Sequence, residues 1–336
     1  MADHVLGDAW RTGPSMTGIT RRHLEVNGLR MHLAEAGTGP LVLLLHGFPE
    51  SAYSWRSQLT ALAEAGFHAV APDQRGYAGT DRPAATEDYT ILHLVGDVVA
   101  LIDALGERTA TVVGHDWGAI VAWQTALLRP ERVRGVAALS VPYMPRGSRP
   151  PMAALRAAYG DAHYQVYFQR PGVAEAELGA DLDETFRRAL YGLSGDSPRV
   201  WPMLVPEGGR LVESWPRPGR LPAWLTEDDI ATYVREYSAG GFTGPLNWYR
   251  NLDRNWALTA AWDGAPITMP ALLLAGDLDP VIAAFDLRRL RGSMRAHIRD
   301  LRGFELIPGA GHWLQQERPA EVNAALTDFA AATATG

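Results

Sequence analysis

Gly114-His115-Asp116-Trp117-Gly118 stands between a short strand-like run, Ala110 to Val113, and a helical segment over 117–129 that stops before Pro130. A short apolar run reads as a strand buried on both faces. The glycines allow the sharp turn by which a strand feeds directly into a helix. The pentapeptide therefore has the form glycine–x–nucleophile–x–glycine, with aspartate at the nucleophile position. A carboxylate there sits at a helix N-terminus, where the local positive potential favours it. The plainer reading is an aspartate capping an ordinary strand–helix turn. What lies on either side of the motif decides between the two.

Upstream, residues 19–36 read as a hairpin around Asn27-Gly28, a pair suited to a type I′ turn. Leu41 to Leu45 and His68 to Pro72 are short strand-like runs, with a helical pattern over 53–65 between them. Residues 88–105 are helical, with Leu92, Val95, Val98, Val99, Leu101 and Ile102 near helical spacing and Gly106 as the stop. Downstream, Val133 to Leu139 is another strand. This alternation predicts a doubly wound, mostly parallel sheet. From about 143 to about 265 the character changes: Pro, Gly, Trp and Tyr abound, helical pieces are short, and Thr226-Glu227-Asp228-Asp229 marks a helix start. A buried strand returns at Ala271 to Ala275, and a helix closes the chain from about Pro319 to Ala330, followed by a tail expected to fray. The simplest organisation is a core over 19–142 and 266–332, interrupted after its sixth strand by a mainly helical cap over 143–265.

Composition excludes several classes of chemistry. The chain has 336 residues, 47% of them hydrophobic and 21% charged, enough for a sizeable core. Its net charge of −7 gives no electrostatic reason to expect nucleic acid or an anionic membrane as partner. With no cysteine there is no disulfide, thiolate metal site or cysteine nucleophile. Met1 to Gly18 is polar, Arg21-Arg22 precedes no apolar stretch, and no run approaches the roughly 18–20 apolar residues of a membrane span. A soluble, cytoplasmic protein is expected, as a monomer or homodimer.

Further features accompany the elbow. His46-Gly47-Phe48-Pro49-Glu50 follows the strand Leu41 to Leu45, so the amides of Phe48 and Trp117 are placed to converge on one oxyanion. Gly309-Ala310-Gly311-His312 lies in a small-residue turn after Phe304 to Ile307, and Asp277 and Asp279 follow the strand 271–275. Each has a bland alternative as a loop residue, but the chain order nucleophile, acid, histidine is that of α/β-hydrolases.

An aspartate nucleophile constrains the reaction. A carboxylate with a reference pKa of about 3.9 is already charged at neutral pH and needs no base to attack. Its target is an sp³ carbon bearing a leaving group. The product is an ester on the enzyme, which water activated by the histidine then hydrolyses. The leaving group is a halide or a strained ether oxygen. An ether oxygen wants an acid beside it, which tyrosine can supply. Tyr164, Tyr167, Tyr233, Tyr237 and Tyr249 all lie in the insertion, and spacing does not choose among them.

At these residues the sequence resembles the epoxide hydrolases of the α/β-hydrolase superfamily. The likeness extends from about 20 to 330. It rests on His46-Gly47-Phe48-Pro49-Glu50 with Ser54-Trp55-Arg56, on Gly114-His115-Asp116-Trp117-Gly118-Ala119, and on Gly311-His312-Trp313. Tyr164-Gln165-Val166-Tyr167-Phe168-Gln169 and Pro245-Leu246-Asn247-Trp248-Tyr249-Arg250-Asn251 are similar to the two tyrosine-bearing lid segments. Arg170 departs from the acid that often precedes the Pro-Gly pair. The resemblance implies Asp116 as nucleophile, His312 as base, Asp279 rather than Asp277 as its partner, and Tyr164 and Tyr249 as the acids, with Tyr167 a neighbour. It further implies an apolar substrate pocket walled by His46, Pro49, Trp117, Phe168, Trp248 and Trp313. The implied partners are a small lipophilic epoxide and water, without cofactor or metal. A haloalkane or haloacetate dehalogenase of the same fold is the rival enzyme, and a non-catalytic small-ligand-binding protein the rival from another class.

Overall fold

The computed structural model describes residues 18–334. The polar start, Met1 to Thr17, and the last two residues of the chain lie outside them.

Asn27 and Gly28, at φ of 52° and 75°, form the turn of a hairpin between β1 (Thr20–Val26) and β2 (Leu29–Ala36). The type I′ geometry that Asn-Gly favours is therefore realised. β2 pairs antiparallel with β4 (His68–Pro72), and every further pairing is parallel. The remaining strands are β3 (Leu41–Leu45), β5 (Ala110–His115), β6 (Val133–Leu139), β7 (Ile267–Gly276) and β8 (Ile298–Ile307). The eight form one sheet in the order β1-β2-β4-β3-β5-β6-β7-β8.

Helices cover both faces, which is why β3 is an unbroken apolar run: all five of its residues are buried. Fully burying such a side chain contributes about 1.5–3 kcal/mol. The covering helices include α1 (Arg56–Glu64), α2 (Ile91–Ala104) and α3 (Trp117–Leu128). The chain steps from β3 outward to β4 and then back across to β5, so the sheet has a switch point between β3 and β5. In open α/β sheets the crevice at the carboxyl ends of such strands is where ligands bind.

After Leu139 the chain leaves the sheet and returns at Ile267, with helices and turns between. Thr226 caps the helix Glu227–Gly240 through a reciprocal box with Asp229. That same Asp229 receives the Tyr53 hydroxyl at 2.8 Å and an Arg56 ion pair at 2.9 Å, which pins the insertion to the sheet's own loops. Among the described residues no helix is long and apolar enough to cross a membrane.

The structure departs from the sequence reading at element ends. The segment 53–65 is a 3-10 turn, Ala52–Trp55, followed by α1. The helix expected from 88 begins at Ile91, after a 3-10 turn over Thr86–Tyr89. β8 begins well before Phe304. It is an edge strand with mostly half-buried or exposed residues, so it carries no apolar run to betray it. The closing helix runs from Pro319 to Ala334 rather than fraying after 330, because Phe329, Ala330 and Thr333 are buried, and Thr333 bonds Thr111 of β5 at 3.0 Å.

Candidate active site

Asp116 occupies the turn between β5 and α3 with φ 50° and ψ −119°. A non-glycine residue held there is strained by about 1–3 kcal/mol, and such strain persists only where the surroundings enforce it. The enforcement is steric. A Cβ on Gly114 would lie 2.1 Å from the Gly118 carbonyl oxygen, and one on Gly118 would lie 2.0 Å from that of Leu45. Strand, turn and helix therefore pack backbone against backbone, and the Asp116 carboxylate projects over the carboxyl edge of the sheet.

Because β3, β5, β7 and β8 are parallel, the loops that follow them meet at that edge. The loop after β3 brings the Phe48 amide to Asp116 Oδ1, to which it donates at 2.9 Å. The Trp117 amide belongs to the first turn of α3, whose N–H groups have no partner within the helix. The loop after β8 brings His312 Nε2 to 3.6 Å from Asp116 Oδ2. The loop after β7 brings Asp279, which faces His312 Nδ1 at 3.1 and 3.2 Å. Asp277 instead accepts from the Gly309 amide at 2.7 Å and serves the turn.

Tyr164 and Tyr249 come from the insertion and line, together with Asp116, a cavity of about 40 Å³. Phe48, Pro49, Phe168 and Trp313 line it as well. The two tyrosine rings are 6.0 Å apart, and Phe168 packs edge-on against both, at 5.5 and 5.0 Å. Arg250 ties their segments together. It donates to the carbonyl oxygen of Phe168 at 3.2 Å and pairs with Glu175 at 2.7 Å, while Gln169 donates to the Tyr249 carbonyl oxygen at 3.0 Å. Tyr167 lies outside the cavity and gives its hydroxyl to Glu177 at 2.5 Å.

Three expected pocket walls are corrected. His46 is wholly buried behind its loop, with Nδ1 on the Gly47 carbonyl oxygen and Nε2 accepting from the Gln74 amide, both at 3.0 Å. Burial depresses its pKa, and this bonding fits the neutral ring. Trp248 donates to the Arg75 carbonyl oxygen at 3.1 Å and packs between Tyr77 and Trp117, away from the cavity. The Trp117 indole supports the Tyr249 ring at 5.1 Å instead of lining the cavity, and its other side faces a separate cavity of about 270 Å³. In each case an apolar or aromatic residue beside a catalytic segment is used for packing.

Residues that the sequence reading left without a role complete the frame. His115 sits between Glu50 Oε2 at 2.7 Å and the His312 carbonyl oxygen at 2.8 Å, and Ser140 donates to that same oxygen at 2.9 Å. Glu50 also receives Gln315 and Gln316 at 3.0 and 2.8 Å. The signal available in the sequence was polar side chains, His115 and Glu50, inside segments that must be buried.

The electrostatics are those of a charged pair at rest. Burial pushes the Asp116 carboxyl up, but the hydrogen bond and charge of His312, with smaller help from His115 and the Phe48 amide, outweigh it and hold the pKa below the usual value. Burial pushes His312 down, but the carboxylates of Asp279 and Asp116 outweigh it and raise the imidazole well above its usual value. Burial, then the charge of Asp116, raises Tyr164 and Tyr249, so both stay as neutral hydroxyl donors. Removing the Asp116 charge should therefore lower the pKa of His312. In Asp116→Ala an NMR titration of the histidine ring is expected to show its midpoint at lower pH than in the wild type. An unmoved midpoint would mean that Asp279 alone sets it. Among the described residues no group of His, Cys, Asp or Glu is placed to hold a metal ion.

A mostly parallel sheet in this order, carrying a strained strand–turn–helix elbow at Asp116 with a histidine and an acid on later loops, defines an α/β-hydrolase. The family described as "alpha/beta hydrolase fold" matches residues 40–319. The chain is 48% identical over 319 residues to epoxide hydrolase A of Mycobacterium tuberculosis, covering 94% of this chain and 98% of the relative. The crystal structure of epoxide hydrolase A from Mycobacterium thermoresistibile superimposes with a TM-score of 0.86 at 49% identity, covering 93% of this chain and 98% of that one. An epoxide hydrolase from an endophytic Streptomyces superimposes with a TM-score of 0.89 at 47% identity, covering 93% and 95%. The chain belongs to the epoxide hydrolases of the α/β-hydrolase fold.

Proposed function

We propose that the protein hydrolyses a small lipophilic epoxide to a vicinal diol through an ester on Asp116. The observation that carries this reading is one cavity lined by a carboxylate and by two tyrosine phenols, with His312 beside the carboxylate. Residues 143–265 act as a cap domain that supplies the phenols. Tyr164 and Tyr249 donate to the epoxide oxygen. Asp116 Oδ2, the oxygen not held by the Phe48 amide, attacks a ring carbon. The carbon–oxygen bond of the ring breaks, and the alkoxide takes a tyrosine proton.

Esterification removes the charge of Asp116, and with it part of what keeps His312 protonated, so the imidazolium passes its proton to the tyrosinate left by ring opening and becomes neutral. The imidazole, held by Asp279, then takes a proton from water, which attacks Cγ of the ester. Negative charge develops on Oδ1, where the amides of Phe48 and Trp117 stabilise it, and loss of one such donor typically costs about 100–1,000-fold in rate. The tetrahedral state collapses, the imidazolium protonates the departing alkoxide to release the diol, and the new Asp116 carboxyl returns its proton to His312, restoring the resting pair. The apolar lining from Phe48, Phe168 and Trp313 suits alkyl or aryl substituents. The absence of cysteine suits work in the cytoplasm.

The test is diol formation from a panel of aryl and alkyl epoxides, with halide release from haloalkanes and haloacetate measured in parallel. Diol from the epoxides is expected. Halide without diol would assign a dehalogenase. His312→Gln adds a sharper reading: ring opening needs no base, so the ester should accumulate on the protein while diol turnover falls by about 100–10,000-fold. Intact-protein mass spectrometry after acid quench should show the mass of one substrate added. A His312→Gln protein that neither turns over nor carries an adduct would argue against the covalent route.

A further inference from the structure

We infer that Glu317 is a positioning residue for the hydrolytic half-reaction: its carboxylate ties the His312 loop to the cap backbone and so keeps the imidazole aimed at Asp116. This role rests on the function proposed above. Glu317 ends the short helix Leu314–Glu317 and is 5% exposed. One oxygen accepts from the amides of Gly311 and Gly195, both at 2.8 Å, and the other from the amide of Trp313 at 2.9 Å. Gly311 and Trp313 flank His312, while Gly195 belongs to the cap. A second tie runs beside it, from the His312 amide to the Leu193 carbonyl oxygen at 2.9 Å.

No side chain fits between these two loops. A Cβ on Gly311 would lie 2.3 Å from the Gly195 nitrogen, and one on Gly195 would lie 2.3 Å from the Gly309 carbonyl oxygen. The buried Glu317 carboxylate therefore satisfies amides on both loops at once. Without it those N–H groups would be buried and unpaired, which a folded backbone avoids. The loops would separate to find water, and Nε2 of His312 would move with them. The Asp116 attack uses no base, so the loss would fall on the ester-hydrolysis step.

The variant Glu317→Gln keeps the size of the side chain and replaces one acceptor oxygen by an NH₂ group that opposes an amide N–H. It would be assayed for steady-state diol formation, for ester occupancy by mass spectrometry after acid quench, and for melting temperature. Misplacing a reacting group by about an ångström costs up to roughly 100-fold, so a fall in kcat of roughly 10- to 100-fold is expected. KM should fall alongside it, kcat/KM should hold steady, and ester occupancy should rise above the wild-type level. Glu317→Asp keeps both acceptor oxygens one methylene further away, so a smaller change in the same direction is expected; it also serves where the Gln variant does not fold. Loss of kcat/KM in proportion to kcat without extra ester, or a lowered melting temperature with unchanged kinetics, would overturn the role. Wild-type protein that forms neither ester nor diol across the panel would instead overturn the underlying mechanism, and this role with it.

Discussion

Replacing Asp116 by alanine is expected to abolish diol formation, with a loss on the order of a million-fold in kcat, as when other covalent-catalysis nucleophiles are removed. On the proposed covalent route the change deletes the atom that bonds to substrate, so no rearrangement of His312 or the tyrosines can compensate at the carbon. It should not unfold the protein. Alanine tolerates the positive φ at 116 no better than aspartate, but the glycine packing that imposes this conformation is untouched. The measurement is diol yield per enzyme at long incubation, beside a melting curve. Residual turnover above about a thousandth of wild type would mean that water attacks the epoxide directly, with Asp116 acting as a base or an electrostatic partner.

The double variant Tyr164→Phe, Tyr249→Phe is the second large effect, and it differs from the His312 variant in where the reaction stops. In the proposed mechanism each hydroxyl is a donor to oxygen on which negative charge develops, and removing one such donor typically costs about 100–1,000-fold. Removing both leaves the developing alkoxide without either hydroxyl donor. Ring opening should fall below detection, with no ester on the protein, whereas His312→Gln should be loaded with it. Phenylalanine keeps the ring contacts that Tyr249 makes with Phe48, Trp117 and Phe168, so the cavity should keep its shape. Tyr167→Phe is the control. Its hydroxyl is spent on Glu177 outside the cavity, so it should leave ring opening intact. Appreciable diol from the double variant, or a Tyr167→Phe protein as inactive as it, would move the acid to another residue.

Much of the architecture was legible because its signals are local. β3, β4 and β6 begin and end where the strand-like runs do, and Asn27-Gly28 turns the hairpin as its conformational preference dictates. Helix ends slipped by a few residues where 3-10 turns intervene, and most of β8 was invisible because an edge strand alternates too loosely to show a period. At the site, residue type pointed to chemistry: an aspartate in an elbow, a histidine after the last strand, an acid between them. The aromatic residues were another matter. Trp117, Trp248 and His46 are as close in sequence to the reacting groups as Phe168 or Trp313, yet they face away from the cavity.

By itself the sequence determined the order of strands and helices, the place of the long insertion, and a short set of residue types able to attack, to take a proton and to give one. Periodicity and turn chemistry depend on neighbours within a few positions, and those are written in the chain. The family resemblance already pointed to Asp279 rather than Asp277; only the tertiary structure decided which of the neighbouring aromatic side chains line the cavity, and that Glu50, His115 and Glu317 hold the histidine loop. Glu317 meets Gly195 across 122 positions of chain, and what it meets there is a backbone amide. Every residue but proline carries that group, so a partner of this kind leaves no mark in the sequence.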